Sequence, residues 1–194
     1  MDQNINIAAY HEAGHALVAY IVGWSVPKIV LTIENGTLIQ ANTAYDNGDD
    51  KNYVDVIKSF PSSRSMLNGM TSAQKKEVYM VSKKMHLCVI AGPMAQYYFE
   101  HGISNTLTFA LESDQPDFKK IQNIVNCQIV LGLFDQQEFH SEELEIAELV
   151  QAAWKSIELL AQKILASETG EIKSDEIEAV FKSTGISNGF PIHL

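Results

Sequence analysis

Apolar positions recur at helical spacing over residues 5–22, where Ile7, Tyr10, Gly14, Leu17, Val18 and Ile21 share one stripe. Gly23 and Pro27 follow and end that helix. Gly14 costs about 1 kcal/mol in a helix interior relative to alanine, and its missing β-carbon lets another element approach closely there. Residues 28–33 and 37–41 are β-rich runs around Glu34-Asn35-Gly36, and an Asn-Gly pair between such runs predicts a hairpin. Residues 42–70 change character, with Asp46-Asn47-Gly48-Asp49-Asp50 and Pro61-Ser62-Ser63 among few apolar anchors. They read as a long mobile loop bordering a cleft, with a short helical turn around Val54 and Ile57.

Thr71 and Gln74 form a capping-box pattern that opens a helix to about Glu100, burying Val78, Val81, Met85, Cys88 and Val89. Gly92 and Pro93 interrupt or kink it. A further helix begins near Pro116, with Ile121, Ile124, Val125 and Ile129 as its apolar stripe. Ser141, followed by Glu142 and Glu143, starts one reaching about Ser167, and Ser174 caps a last short helix through Ile177, Val180 and Phe181. The pattern is a mainly α (α+β) chain with one small β element.

Composition adds limits. A chain of 194 residues that is 46% hydrophobic buries one good core and reads as a single domain, 1–194. Its net charge of −10 argues against nucleic acid and anionic membrane, which both demand clustered Lys and Arg. No apolar run reaches the roughly 18 residues of a membrane span, and no basic region leads into an apolar stretch at the start. Cys88 and Cys127 sit in apolar helical patterns at no zinc or redox spacing, which reads as buried reduced thiols in a cytoplasmic protein.

The chemistry concentrates in His11-Glu12-Ala13-Gly14-His15. Two imidazoles four residues apart share a helical face, with β-carbons about 5–6 Å apart. Both can reach one zinc ion at about 2.0–2.1 Å, and Glu12 projects close enough to take a proton from a zinc-bound water. A catalytic zinc needs a third protein ligand. No histidine lies between His15 and His86, and His86, His101, His140 and His193 read as ordinary surface or capping residues. Asp114 and Asp117 stand at the start of the Pro116 helix, where acidic residues also commonly stabilise a helix N-terminus. Spacing alone leaves that choice open.

Tyr10-His11-Glu12-Ala13-Gly14-His15-Ala16-Leu17-Val18-Ala19 resembles the zinc-binding helix of the FtsH family of membrane-bound, ATP-dependent zinc metalloproteases. The similarity continues in chain order. Pro27-Lys28-Ile29-Val30-Leu31 resembles the strand after that helix, and Ala91-Gly92-Pro93-Met94-Ala95-Gln96 the family's Gly-Gly-Arg-x-Ala-Glu segment. Glu112-Ser113-Asp114-Gln115-Pro116-Asp117-Phe118 lies where the family has Thr-Gly-Ala-Ser-Asn-Asp-Leu, whose last Asp is the third zinc ligand. Residues 154–181 are similar to its closing helices. The resemblance implies a helical zincin-like metallopeptidase fold, with His11, His15 and Asp117 holding Zn2+ and Glu12 as the catalytic base.

There are departures. Pro93 stands where the family has Arg and Gln96 where it has Glu, and losing a carboxylate that orients a metal ligand can matter about 10–100-fold. No G-x-x-x-x-G-K-[ST] is present to cradle a nucleotide phosphate. The expectation is a stand-alone zinc metallopeptidase acting on peptides or unfolded protein segments, with a separate ATPase as a possible partner. A ring-like assembly is known for the family, but like charge accumulates on closing a ring, so a monomer or small homo-oligomer is expected. The competing expectation is a catalytically weak or inactive module that binds zinc or a partner.

Overall fold

In the computed structural model, residues 3–102 and 116–187 are described. Within them the chain is mainly helical, with one three-stranded antiparallel sheet. Helix α1 spans Gln3–Ile21 and leads into the β1 (Ser25–Glu34) and β2 (Thr37–Asp46) hairpin. After α2 (Lys51–Lys58) and α3 (Arg64–Gly69) come the long α4 (Ser72–His101), α5 (Pro116–Leu131), α6 (Gln136–Ala152) and α7 (Trp154–Ala166). A short β3 (Glu171–Lys173) and α8 (Ser174–Ser183) close the described chain. No helix among the described residues is long and apolar enough to cross a membrane.

The sheet order is β2-β1-β3, so β2 is an edge strand. The hairpin turns at Asn35 and Gly36, whose φ angles of 50° and 79° are the paired positive values of a two-residue turn that matches strand twist. Val26, Ile29 and Leu31 of β1 point into the core. A register irregularity between Ser25 and Lys28 shifts the alternation between the first two of them.

Helix α1 is buried over most of its circumference from Ala8 to Ile21, because α4, α7 and the sheet all pack on it. Tyr10 anchors its entry, stacked between Phe99 of α4 at 4.1 Å and Trp154 of α7 at 5.3 Å. Helix α4 is the other central element, and Val78, Val81, Met85, Cys88 and Val89 are buried as their spacing predicts. The Thr71 and Gln74 capping box forms at its start. The helix runs on through Gly92 and Pro93 to His101. An interior proline costs about 3 kcal/mol, but everything from Leu87 to Ala95 is buried on several sides, and that packing holds the helix together.

Four expectations need correction. Residues 42–70 are not a long loop: they finish β2, make a 3₁₀ turn at Gly48–Asp50, and form α2 and α3, with Val54, Ile57 and Leu67 buried beneath. Those three and Val56, four buried apolar anchors in all, sufficed to dock a segment whose composition looked too polar to fold. The helix expected from Ser141 to Ser167 is two helices. It starts earlier because Asp135 accepts from the backbone N–H groups of Gln137 and Glu138, and it breaks at Ala153 so that α7 can lie along α1. Ile129 of α5 is exposed, and the inward face is carried by Ile124, Cys127 and Gln128. Ser174 is the first residue of α8 rather than its cap, which is Lys173.

At Gly14 the helices α1 and α4 approach closely. A β-carbon there would lie 2.5 Å from the Ala91 carbonyl oxygen and 2.7 Å from Ala95 Cβ. Gly14→Ala therefore gains up to about 1 kcal/mol of helix propensity but forces apart two backbones, at about 1–3 kcal/mol or more. Thermal unfolding should show Tm lowered by several degrees, at about 2–4 °C per kcal/mol for this size. Gly69→Ala, whose β-carbon meets nothing within 4 Å, should not lower it. A Gly14→Ala variant as stable as the parent would contradict the close approach.

Candidate metal centre

The two histidines of α1 meet Asp117, the second residue of α5, beneath the hairpin. His11 Nε2 lies 3.0 Å from Asp117 Oδ2 and 3.0 Å from His15 Nε2, and His15 Nε2 lies 3.4 Å from Asp117 Oδ2. His15 and Asp117 are buried and His11 is partly so. Among the described residues this is the one His, Cys, Asp or Glu group arranged to hold a metal ion. Asp114 lies outside the described residues, as do His193 and the rest of the segment before Pro116.

The hydrogen bonds behind the rings decide what the centre can hold. His15 Nδ1 donates to the Cys88 carbonyl at 2.7 Å, across 73 residues of sequence. His11 Nδ1 donates to Gln96 Oε1 at 3.2 Å. The Gln96 amide is itself oriented, because its Nε2 donates to Glu100 Oε2 at 3.1 Å one turn further along α4. With each Nδ1 carrying its proton, both Nε2 atoms of the neutral rings present lone pairs. Three acceptors, two nitrogens and a carboxylate oxygen, therefore face one another at 3.0–3.4 Å. They repel unless a positive charge lies between them. Ligand atoms at about 2.0–2.1 Å from one tetrahedral ion stand about 3.4 Å apart. The donor set fits a metal.

The ionisation of the ligands points the same way. Burial pulls His15 toward its neutral form, but the hydrogen bond and charge of Asp117 and the charge of Glu12 outweigh it and leave its pKa raised. Burial works to raise Asp117, yet with a proton rather than a metal on an imidazole Nε2 the hydrogen bonds from His11 and His15 and the charges of His15 and Lys120 hold its carboxyl well below the usual range. The pocket favours one positive charge at the meeting point. Lys120 Nζ, 2.6 Å from Asp117 Oδ1, occupies the other carboxylate oxygen and leaves Oδ2 aimed inward.

Glu12 is buried beside the centre, and Thr43 of β2 donates to its Oε2 at 2.6 Å. Thr43 was invisible in the sequence, since it falls in the segment expected to be a loop and contacts Glu12 across 31 residues. Gly92 was equally hidden in its role. A β-carbon on it would sit 2.4 Å from His15 Nε2, so glycine is what admits the imidazole. Gln96 keeps a hold on His11 despite being an amide, and Glu100 supplies the carboxylate one step removed.

A cavity of about 770 Å³ opens over these groups, lined by His11, Glu12, His15 and Asp117 together with β2 and residues of α2 and α5. The segment expected to border a cleft does so, as strand and helix rather than loop.

Of the other histidines, His101 and His140 are exposed as expected. His86 is not a surface residue. It is fully buried, stacked on Phe139 at 3.8 Å, with Nδ1 2.7 Å from Glu142 Oε2. Its burial follows from α6 packing against α4 with Lys83 and Glu142 already paired there at 3.4 Å. Both cysteines are free and buried, and burial pushes the Cys127 thiol up to about 11 and the Cys88 thiol higher still, so neither offers a thiolate.

Titrating the metal-free chain with zinc should give about one ion per chain. Asp117→Ala should weaken binding by more than the roughly 10–100-fold typical of disturbing an outer partner. Gly92→Ala should do the same while the chain stays folded by circular dichroism, because the added methyl displaces His15. Asp114→Ala should leave the affinity unchanged, and the reverse pattern for the two aspartates would overturn the assignment of Asp117. No protein-family model and no curated protein matches this chain, so the centre stands on its geometry.

Proposed function

We propose that this chain is a zinc-dependent metallopeptidase, related to the FtsH-type peptidase domain, that hydrolyses peptide bonds in peptides or unstructured protein segments. The observation that carries this reading is the convergence of three lone-pair donors, their tautomers fixed from behind, on the floor of a cavity that also holds Glu12. Zinc bound by His11, His15 and Asp117 would supply a Lewis acid that polarises a peptide carbonyl and acidifies a water.

The chain's own groups do the rest. Glu12 accepts the proton of the attacking water and returns it to the leaving amine. Thr43 donates to Oε2, and Oε1 has no hydrogen-bond partner among the described residues, so the carboxylate is held by one oxygen while it works. A purely structural ion would need no such carboxylate beside it.

Beta-strand geometry supports a peptide as the substrate. Successive side chains of a strand point to opposite faces, yet five consecutive residues of β2, Ala41 to Tyr45, all line the cavity. That happens when the strand's edge borders the space. The edge of β2 away from β1 is unpaired among the described residues and can accept an extended chain by backbone hydrogen bonds. Such pairing demands an unfolded segment.

Glu12→Gln should retain the fold and the zinc while abolishing cleavage of unstructured peptides, since only the proton transfer is removed. Equal activity in mutant and parent would take Glu12 out of the mechanism. No cleavage by the zinc-replete parent across a broad peptide library would favour the binding-module reading. Thr43→Val should lower kcat by about 10–100-fold with little change in KM or zinc affinity, and Thr43→Ser should restore it. A Thr43→Val enzyme with parental kcat would leave Thr43 a packing residue only.

A further inference from the structure

The charge on the cavity wall runs against the composition of the chain. The protein carries 24 Asp and Glu against 14 Lys and Arg. Among the described residues lining the cavity, however, the only carboxylates are Glu12 and Asp117, both committed to the centre. The other charged groups, apart from the two histidines, are Lys58, Lys119 and Lys120. They hang from one side: Lys58 ends α2, and Lys119 and Lys120 lie in the first turn and a half of α5. Asn123 Nδ2, also on the wall, donates to the Lys58 carbonyl at 3.4 Å and ties the two helices together there.

The three lysines are not equivalent. Lys120 is neutralised by Asp117 at 2.6 Å. Lys58 and Lys119 are exposed and have no carboxylate partner among the described residues. Two ammonium groups without a carboxylate partner among the described residues thus overlook a cavity in a protein of net charge −10. Low-dielectric walls focus such a field into the cleft, while the acidic remainder of the surface repels anions elsewhere.

We infer that Lys58 and Lys119 make the cavity select substrates that carry a carboxylate close to the bond being cleaved, on the side facing α2 and α5. This rests on the metallopeptidase reading above and names its substrate class. The carboxylate can belong to an Asp or Glu side chain or to the end of a chain, and both present the same chemistry to an ammonium group.

The test measures binding apart from turnover. Zinc-loaded Glu12→Gln protein is titrated, by fluorescence anisotropy, into labelled unstructured peptides that differ only in Glu or Gln at positions along the chain, each made with a free or an amidated C-terminus. The Glu peptides should bind about tenfold tighter than their Gln counterparts at about 0.1 M salt. The preference should shrink at 1 M salt, where the screening length falls from about 10 Å to about 3 Å. A Lys58→Glu, Lys119→Glu double variant with unchanged zinc affinity should lose or invert it. If only the free C-terminus confers the advantage, the carboxylate recognised is the terminal one; if only internal Glu does, it is a side chain. Either result upholds the inference.

Equal affinity across all the peptides, Glu or Gln and free or amidated, or a preference that survives the double reversal, overturns it. The two readings fail separately. Charge-selective binding without cleavage by the zinc-replete parent removes the peptidase and keeps the lysine wall. Cleavage without charge preference, with kcat/KM the same for Glu and Gln substrates and for free and amidated ends, does the opposite.

Discussion

Helices α1 and α4 approach each other at Gly14 and Gly92 until no β-carbon fits between them, and the centre depends on that approach. The distance brings the Cys88 carbonyl within 2.7 Å of His15 Nδ1 and Gln96 within 3.2 Å of His11 Nδ1. Each ring is therefore turned so that its Nε2 faces inward and bare. Larger residues at either glycine would move the helices apart or push His15 aside, and the tautomers would no longer be set. Glycine costs about 1 kcal/mol at each of these helical positions. The packing of the buried apolar faces of the two helices, reinforced by the Tyr10, Phe99 and Trp154 stack, offsets it.

What the approach creates is a place where three lone pairs meet and a cation is the natural occupant. Metal affinity and protonation are thereby linked, since the same three atoms that hold a metal also favour a proton on His15 when none is bound. Asp117 is the pivot of this arrangement. Its Oδ2 faces the histidines, its Oδ1 is covered by Lys120, and its place in the first turn of α5 fixes both. The carboxylate does not need a helix dipole to explain its low pKa, because two imidazoles and an ammonium surround it.

The hairpin contributes on two sides. Beneath it, Thr43 restrains Glu12 with a 2.6 Å hydrogen bond. Along its outer edge, β2 offers the cavity backbone that is unpaired among the described residues, and lysines from α2 and α5 line the same space. Glu12, the three candidate metal ligands, the strand edge and the lysines thus come from four elements, α1, β2, α2 and α5, that share one cavity.

The sequence by itself determined what depends on near neighbours in the chain. Two histidines and a glutamate on one helical face follow from a spacing of four residues, the Asn35-Gly36 turn from its backbone demands, and the start of α4 from Thr71 and Gln74. Asp117 was legible only as one of two aspartates until a family resemblance chose it, and the fold places it in the centre. Tertiary structure alone decided the rest. Thr43 reaches Glu12, Gly92 makes room for His15, His86 is buried against Glu142, and residues 42–70 fold instead of looping. None of these has a local signature. Each arises from elements that are tens of residues apart and meet only when the core closes, and the free energy that fixes them belongs to that closure rather than to any stretch of sequence.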